Sequence, residues 1–360
     1  MRAALTMLSG AVAAPPPLPF RPPKRDGDMP WAEAVDRHRH RLATVRAALR
    51  TPWDAGRVAE AVAAATARLL ALQAEHLDVL DAGRLDEDES VRAAARLLRG
   101  FEFESGLDDP LEWIPDAAPP RLVAPPVLHD VRALRRRWEA AQKQVAKPVK
   151  LSLLGPRSFA GAVDDALYGG DVDAGAHALA EALNPGLRQL GEAGCPAIEL
   201  VEPAFLTATP AVTTTGFEAI ARALHKVPRE TRRWLRLVPA DTQPPWLGPP
   251  PPRLNLATIA PILADLPIDG IVLEPEVVLT APDNPGRLRK LLVALLVVPA
   301  EADSGFRADD ARDPLVRASA VMEPGRLVAA VDGGGARARE PLVDRLELLS
   351  AAARVLAPDR

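Results

Sequence analysis

The chain has 360 residues, of which 38 are proline and 23 are glycine. Its hydrophobic fraction of 48% and charged fraction of 26% are ordinary for a globular protein, so the proline excess does not indicate a disordered chain. The formal net charge is only −4, which gives no support for a nucleic-acid or anionic-membrane partner. Because Cys195 is the single cysteine, an intrachain disulfide and a cysteine-rich zinc site are both excluded.

The N-terminal half predicts a first strand, a Pro-rich loop at 15–30 and several helices. The start of the chain, 1–14, resembles either a weak secretory signal or a buried first strand. Helices are predicted where apolar residues recur at i, i+3 and i+4, and strands where short apolar runs end in turn residues. In chain order these elements are a strand at 3–13, helices at 31–50 and 55–76, a strand at 77–83, a helix at 87–100, a strand at 121–127 and a helix at 129–145.

From residue 147 onward, strands and helices alternate regularly. Strands are predicted at 147–155, 197–203, 234–240, 269–275, 289–299 and 326–335, and helices at 171–193, 216–226, 256–265 and 340–356. Pro185 is expected to kink or break the helix in which it lies. No segment approaches 18 consecutive apolar residues, so no transmembrane helix is predicted.

Apolar strands separated by helices indicate a parallel sheet that is covered on both faces, which is an α/β fold. The nine strand-like runs exceed by one the eight strands of a (β/α)₈ TIM barrel, so one run is expected to be either an elaboration or a segment wrongly assigned as a strand. A doubly wound open sheet is the alternative, and it is disfavoured because no strand–GxGxxG–helix unit occurs. The predicted organisation is an N-terminal strand and loop at 1–30 and one barrel domain at 31–360, with a helical elaboration at 31–145.

In a parallel barrel the active site lies at the carboxyl ends of the strands, so polar residues directly after predicted strands are the candidates. Glu202 and Glu274 each follow such a strand and are the candidate catalytic acid and base. The alternative for each glutamate is a pairing with an arginine or the capping of a helix.

Two arginines and a group of small residues form the candidate substrate-binding set. Arginine suits bidentate binding of a carboxylate or phosphate, although Arg84 could instead form an internal salt bridge. The glycines near the end of the chain precede a predicted helix, so they form either an anion-binding site or an ordinary tight turn. The complete set is Arg84, Arg157, Ser158, Asp332, Gly333 and Gly334.

Four of these strand-end segments, in this order and spacing, resemble motifs of the cobalamin-independent methionine synthases. The segments are LDVLDAGRLDED at 77–88, VKLSLLGPRSF at 149–159, LRQLGEAGCPAIELVEPAF at 187–205 and VDGGGARARE at 331–340. The resemblance implies the TIM barrel of the methionine synthase and uroporphyrinogen decarboxylase superfamily. It also implies a chain that consists of the catalytic barrel alone.

The family binds a catalytic zinc ion through His-x-Cys after one strand, Glu after the next and Cys after the last, and this chain departs from that set. Val238 and Ala240 stand where His and Cys are expected, and Gly333 stands where the second Cys is expected. Glu274 alone remains, and one carboxylate does not hold Zn²⁺. Neither zinc nor another cofactor is therefore predicted.

The sequence leaves three functional hypotheses open. The leading one is a diverged methyl- or alkyl-transferase that acts on a small anionic substrate without zinc, in the cytoplasm. The second is a non-catalytic binding or scaffold subunit that supports an active partner. The third is a metal-free decarboxylase or lyase in which arginines hold carboxylates. A homo-oligomer or a protein partner is compatible with each of them.

Overall fold

The computed structural model describes residues 5–9, 55–82, 90–103, 119–206, 210–237, 256–263, 265–280, 286, 288–299, 302, 305–332 and 342–354. The predicted helix at 31–50 lies outside the described residues, as do the Pro-rich segment at 15–30 and three candidate site residues, Arg84, Gly333 and Gly334.

Eight parallel strands form the central barrel. The strands of the described chain are β1 (Leu5–Ser9), β2 (Leu80–Asp81), β3 (Leu98–Glu102), β4 (Arg121–Leu128), β5 (Val149–Leu154), β6 (Asp164–Asp165), β7 (Ala197–Val201), β8 (Arg232–Arg236), β9 (Gly270–Leu273), β10 (Leu292–Val298) and β11 (Leu327–Asp332). The sheet order is β1-β11-β10-β9-β8-β7-β5-β2, and a parallel bridge between Met7 and Val79 joins its two ends. The predicted α/β TIM barrel is thereby confirmed.

Helices follow most of the barrel strands and cover the outside of the sheet. They are α1 (Ala55–His76), α2 (Ser90–Arg96), α3 (Ala133–Gln142), α4 (Pro156–Gly161), α5 (Val172–Glu192), α6 (Pro210–Ala223), α7 (Leu256–Leu263), α8 (Pro275–Leu279), α9 (Ala308–Ser319) and α10 (Leu342–Ala353). Within the described residues, no helix is long and apolar enough to cross a membrane.

The ninth strand-like run is an elaboration, the first of the two alternatives that the sequence left open. Residues 121–127 belong to β4, which lies in a separate three-stranded sheet of order β3-β4-β6. The sequence analysis missed β3 because its residues continued the apolar spacing of the helix predicted at 87–100. That helix ends at Arg96, and the chain then turns into β3.

Pro185 does not break the helix around it, so that part of the prediction is wrong. α5 runs from Val172 to Glu192 through the proline. Its apolar face is buried, including Leu183 and Leu187 on either side of Pro185. Burial of a leucine side chain contributes about 1.5–3 kcal/mol, so several of them offset the single hydrogen bond that the proline removes.

The barrel interior is apolar over much of its length. Trp234 and Val272 pack there with the inward-facing side chains of the neighbouring strands, including Met7 and Ala330. Gly270 makes room for the indole, since a Cβ atom at this position would lie 2.4 Å from Cζ3 of Trp234. Inward-facing residues alternate with outward-facing ones along each strand, so the two faces of a strand can carry different chemistry.

Candidate functional site

Glu202 follows β7 and caps α4, the helix that begins after the adjacent strand β5. It comes one residue after β7 and is fully buried. Its Oε1 accepts a hydrogen bond from the backbone N–H of Arg157 at 2.9 Å, and its Oε2 accepts from the N–H and the hydroxyl of Ser158 at 2.8 and 2.6 Å. These three bonds satisfy donors at the start of α4 and tie β7 to the β5–α4 junction. The capping alternative raised from the sequence is therefore the observed geometry, and a catalytic role for Glu202 stays a prediction.

Gly155, the first residue of the Gly155–Pro156 pair (the GP motif), leaves room for the Glu202 side chain. A Cβ atom on Gly155 would lie 2.3 Å from Oε1 of Glu202 and 2.4 Å from its Cδ and Cγ. Burial raises the pKa of Glu202 to about 7, although the hydrogen bonds from Ser158 and from the Arg157 N–H act in the opposite direction. Glu202 thus changes charge near neutral pH inside a closed set of contacts.

Arg157 and Ser158 were predicted to bind substrate, and the structure places both at the Glu202 carboxylate, Arg157 through its backbone and Ser158 through its backbone and hydroxyl. The Arg157 side chain turns to the outer helices, where its Nε lies 3.3 Å from Oδ1 of Asp173. The side chain also passes close to α6, since a Cβ atom at Gly216 would lie 3.3 Å from Cγ of Arg157. The guanidinium is therefore paired with a helix carboxylate.

Glu274 occupies the junction between β9 and α8. It is half-buried and precedes Pro275, which starts the helix. In the sheet order β8 lies between β7 and β9, so Glu202 and Glu274 follow strands that are not adjacent. The structure does not bring the two candidate catalytic carboxylates together through adjacent strands.

Asp332 takes part in a buried ion pair that crosses the barrel. Its Oδ2 lies 3.0 Å from Nη2 of Arg236, and both side chains are 4% exposed. Asp332 ends β11 and Arg236 ends β8, and β9 and β10 lie between these strands in the sheet. Both residues share the inward face of their strands with members of the interior cluster, Ala330 and Trp234. The ion pair therefore spans the lumen at the carboxyl ends of the strands, which we call the barrel mouth.

A second set of buried charges lies inside the barrel, formed by Asp81, Lys150, Ser152 and Glu199, which we call the lumen cluster. Nζ of Lys150 lies 2.8 Å from Oδ2 of Asp81 and 3.2 Å from Oε2 of Glu199. The Ser152 hydroxyl lies 2.6 Å from Lys150 Nζ and 2.6 Å from Asp81 Oδ2. The cluster links three consecutive strands of the sheet, β2, β5 and β7.

Lys150 stays charged within this cluster. Burial alone would lower the pKa of its ammonium group, but the adjacent Asp81 and Glu199 carboxylates outweigh burial and raise that pKa. A lysine with a raised pKa is a poor nucleophile, because the free amine that would attack a carbonyl is scarce. The lumen cluster is therefore suited to holding strands together and to electrostatics, and not to Schiff-base chemistry.

The sequence analysis missed Arg236 and the lumen cluster because it considered only residues after each strand. The missed signal is a polar residue at every second position of an apolar strand. Lys150 and Ser152 show it in VKLSLL, as does Glu199 in AIELV. Period-2 polar positions in a buried strand place those side chains in the lumen.

The strand predicted at 234–240 was also set too late. β8 begins at Arg232, where its pairing with Ala197 of β7 starts. Arg233 on its outer face is held by a two-bonded ion pair with Asp269, with N···O distances of 2.9 and 3.0 Å. The pair with Asp269 accommodates Arg233 at the start of a strand that the apolar run alone did not indicate, and Arg232 beside it is exposed. Val238 and Ala240, which stand at the zinc-ligand positions, lie outside the described residues.

The described residues contain no group of three or more His, Cys, Asp or Glu side chains that could hold a metal ion. Cys195 precedes β7 and is buried, with its Sγ donating to the carbonyl of Ala197 at 3.2 Å. Burial raises the pKa of this thiol to about 12, so the thiolate that a metal would require is not accessible near neutral pH.

No protein-family model and no curated protein matches the chain. Among solved structures it is similar to a B12-independent methionine synthase from a Shewanella species in complex with selenomethionine, at 20% identity over 99% of both chains and a TM-score of 0.71. The chain has the fold of this barrel. It is also similar to a Listeria monocytogenes structural-genomics target assigned to the same enzyme type (15% identity, 88% of this chain and 93% of that one, TM-score 0.62). A methyltransferase from Methanosarcina mazei shares 14% identity over 82% and 85% of the chains, with a TM-score of 0.54.

Proposed function

We propose that this chain is a barrel of the methionine synthase type that transfers a methyl or alkyl group to a small anionic substrate without zinc. The observation that carries the proposal is the likeness to a B12-independent methionine synthase over 99% of both chains. The sequence resemblance at LSLLGPRSF and ELVEPAF supports it, since Gly155, Ser158 and Glu202 of these segments form one closed set of contacts.

The proposed loss of zinc rests on the donor atoms that the chain provides. Valine, alanine and glycine carry no side-chain lone pair, so Val238, Ala240 and Gly333 cannot ligate a metal ion. Cys195 cannot replace a lost thiolate, because it is buried at the opposite, amino-terminal end of β7. The residues present do not fit zinc, so the proposed reaction proceeds without it.

In the proposed reaction an anionic atom of the acceptor provides the electron pair for the new bond to the methyl carbon. The bond from that carbon to a nitrogen or sulfur atom of the donor breaks, and its electron pair stays with the donor. Glu202 keeps the β5–α4 junction in place through its three hydrogen bonds.

The test combines metal analysis with a transfer assay on the full chain. Metal content is measured by mass spectrometry on the protein as purified. Untreated and chelator-treated protein are then incubated with labelled S-methyl sulfonium and N-methyl donors, together with a panel of small anionic thiols that includes homocysteine. We expect substoichiometric zinc and a methylated thiol whose yield is unchanged by chelation. Stoichiometric zinc whose removal abolishes transfer would contradict the proposal.

A non-catalytic scaffold is the second candidate, and one observation favours it. The groups at the barrel mouth and in the lumen are buried and bonded to one another, as in the Arg236–Asp332 pair and the lumen cluster. For this candidate the transfer assay yields no methylated product with any acceptor, and affinity capture with the full chain retains an active partner enzyme.

A further inference from the structure

A buried guanidinium lies at the end of β8, inside the barrel. Arg236 is the last residue of that strand, and the residue as a whole is 3% exposed. Its partner Asp332 is the last residue of β11 and is also 3% exposed. The pair therefore holds an arginine side chain at the carboxyl ends of the barrel strands, the end at which parallel barrels bind their ligands.

A second guanidinium reaches the same strand end from the outside. Arg345 of α10 is 2% exposed and donates from Nη1 to the backbone carbonyl of Asp332 at 2.5 Å. Two arginines thus contact Asp332, one at its carboxylate and one at its main chain. Moving an ion out of water costs several kcal/mol, and well-packed apolar residues would often be at least as stabilising as a buried ion pair. A buried ion pair is therefore weak evidence for a purely stabilising role.

The three positions after these same two strands where the family's zinc ligands are expected provide no metal-binding side-chain atoms. Val238 and Ala240 come after β8, and Gly333 comes directly after β11. The Arg236 guanidinium provides a positive charge at the end of β8, on the lumen side of the strand. A guanidinium is planar and carries five N–H donors, a geometry that matches a carboxylate in two parallel hydrogen bonds.

We infer that Arg236 binds a carboxylate group of the substrate at the barrel mouth, with Asp332 holding the guanidinium in position across the lumen. This inference rests on the proposed function and names the substrate class that Arg84 and Arg157 were expected to recognise. Arg157 is directed to Asp173 on the outer helices, whereas Arg236 faces the lumen. A substrate carboxylate binds beside Asp332 or displaces it from one edge of the guanidinium.

The experiment measures binding of malonate, a small dicarboxylate, and of its neutral diamide by isothermal titration calorimetry of the full chain. The double variant Arg236→Gln/Asp332→Asn removes the charge pair without leaving either charge buried alone. Its matched control is Arg233→Gln/Asp269→Asn, which neutralises the ion pair on the outer face of the same strand. A third variant, Asp332→Asn, keeps the arginine and removes its competing carboxylate.

We expect wild-type protein to bind malonate and not the diamide, with affinity reduced at least about tenfold in Arg236→Gln/Asp332→Asn and unchanged in the control. Asp332→Asn is expected to bind malonate more tightly than wild type. Absence of malonate binding by wild type overturns the inference, as does equal binding by the Arg236 double variant. Loss of binding on Arg157→Gln alone would assign the anion to that residue instead.

The methyl-transfer proposal and the carboxylate-site proposal can be refuted independently of each other. Arg236-dependent malonate binding by a chain that transfers no methyl group would contradict the transferase and leave the carboxylate site in place. Methyl transfer that survives Arg236→Gln/Asp332→Asn, with unchanged KM, would contradict the carboxylate site and leave the transferase in place.

Discussion

Replacing Gly155 with alanine tests whether the GP motif exists to accommodate the Glu202 carboxylate. The glycine has φ −74° and ψ 157°, a conformation that alanine adopts without strain, so any effect must come from the added methyl group. That methyl would lie 2.3 Å from Oε1 of Glu202 and 2.4 Å from its Cδ and Cγ. Since carbon contacts are optimal near 3.5–4.0 Å, the carboxylate or the start of α4 must move by roughly 1 Å.

A movement of this size breaks hydrogen bonds to a buried charged group. Glu202 accepts one bond from Arg157 and two from Ser158, at distances between 2.6 and 2.9 Å. Each bond to a charged group contributes about 1.5–3 kcal/mol, so losing one or two lowers the free energy of unfolding by about 2–5 kcal/mol. Urea denaturation followed by tryptophan fluorescence at pH 8 measures this change. Gly325→Ala is the control, because no atom lies within 4 Å of its added Cβ.

A double-mutant cycle identifies the Glu202 side chain as the source of the effect. Glu202→Ala removes the three atoms that the new methyl would contact, so Gly155→Ala should cost little in that background. We expect a coupling free energy of at least about 1.5 kcal/mol, within the range seen for residues in direct contact. An equal cost of Gly155→Ala in both backgrounds would refute the reasoning and place the clash elsewhere.

Three further predictions concern buried titratable groups. The pKa of Glu202 is raised to about 7 from 4.5, so its stabilising contribution is present at low pH and is lost as the pH rises through 7. Relative to Glu202→Gln, wild type should lose about 3 kcal/mol of unfolding free energy between pH 4.5 and 8, and an equal pH dependence in the two proteins would contradict the assignment to Glu202. Lys150→Met leaves two carboxylates buried without their cation and should lower the free energy of unfolding by about 3–5 kcal/mol. The control Lys143→Met, at an exposed lysine, should lower it by less than about 0.5 kcal/mol. Equal values for the two variants would show that the lumen cluster does not depend on Lys150. Cys195, with a pKa of about 12, should react with a disulfide reagent at pH 8 only after unfolding, so rapid labelling of the native chain would contradict its burial.

The barrel was predictable from sequence because its signal is periodic and repeated. Each buried parallel strand is a short apolar run, and the runs alternate with amphipathic helices, so an error in one element does not change the fold class. Glu202 was correctly placed at a strand end for the same reason. The direction of its side chain was not predictable, because the residue after a strand can face either the lumen or the loop beside it. Only the fold shows that Gly155 opens space on the β5 side.

Arg236 and the lumen cluster show where strand-end reasoning fails. A lysine or arginine in a short strand is ordinarily assigned to the solvent face, since charged side chains are rarely fully buried without a partner. The partners here come from distant segments: Asp332 lies 96 residues from Arg236, and Asp81 lies 69 residues from Lys150. Pairing over such separations is set by the closure of the sheet.

The distribution of charge within the barrel separates a structural role from a binding role. The lumen cluster joins adjacent strands, β2 with β5 and β5 with β7, and each of its charges lies within 3.3 Å of another member. The Arg236–Asp332 pair instead joins strands that two others separate, and it does so at the mouth, where no backbone ladder runs between them. A pair between adjacent strands adds to an interface that hydrogen bonds already hold. A pair across the lumen fixes the position of a single guanidinium at the carboxyl ends of the strands, where parallel barrels bind ligands, and a preorganised anion site requires such a fixed donor.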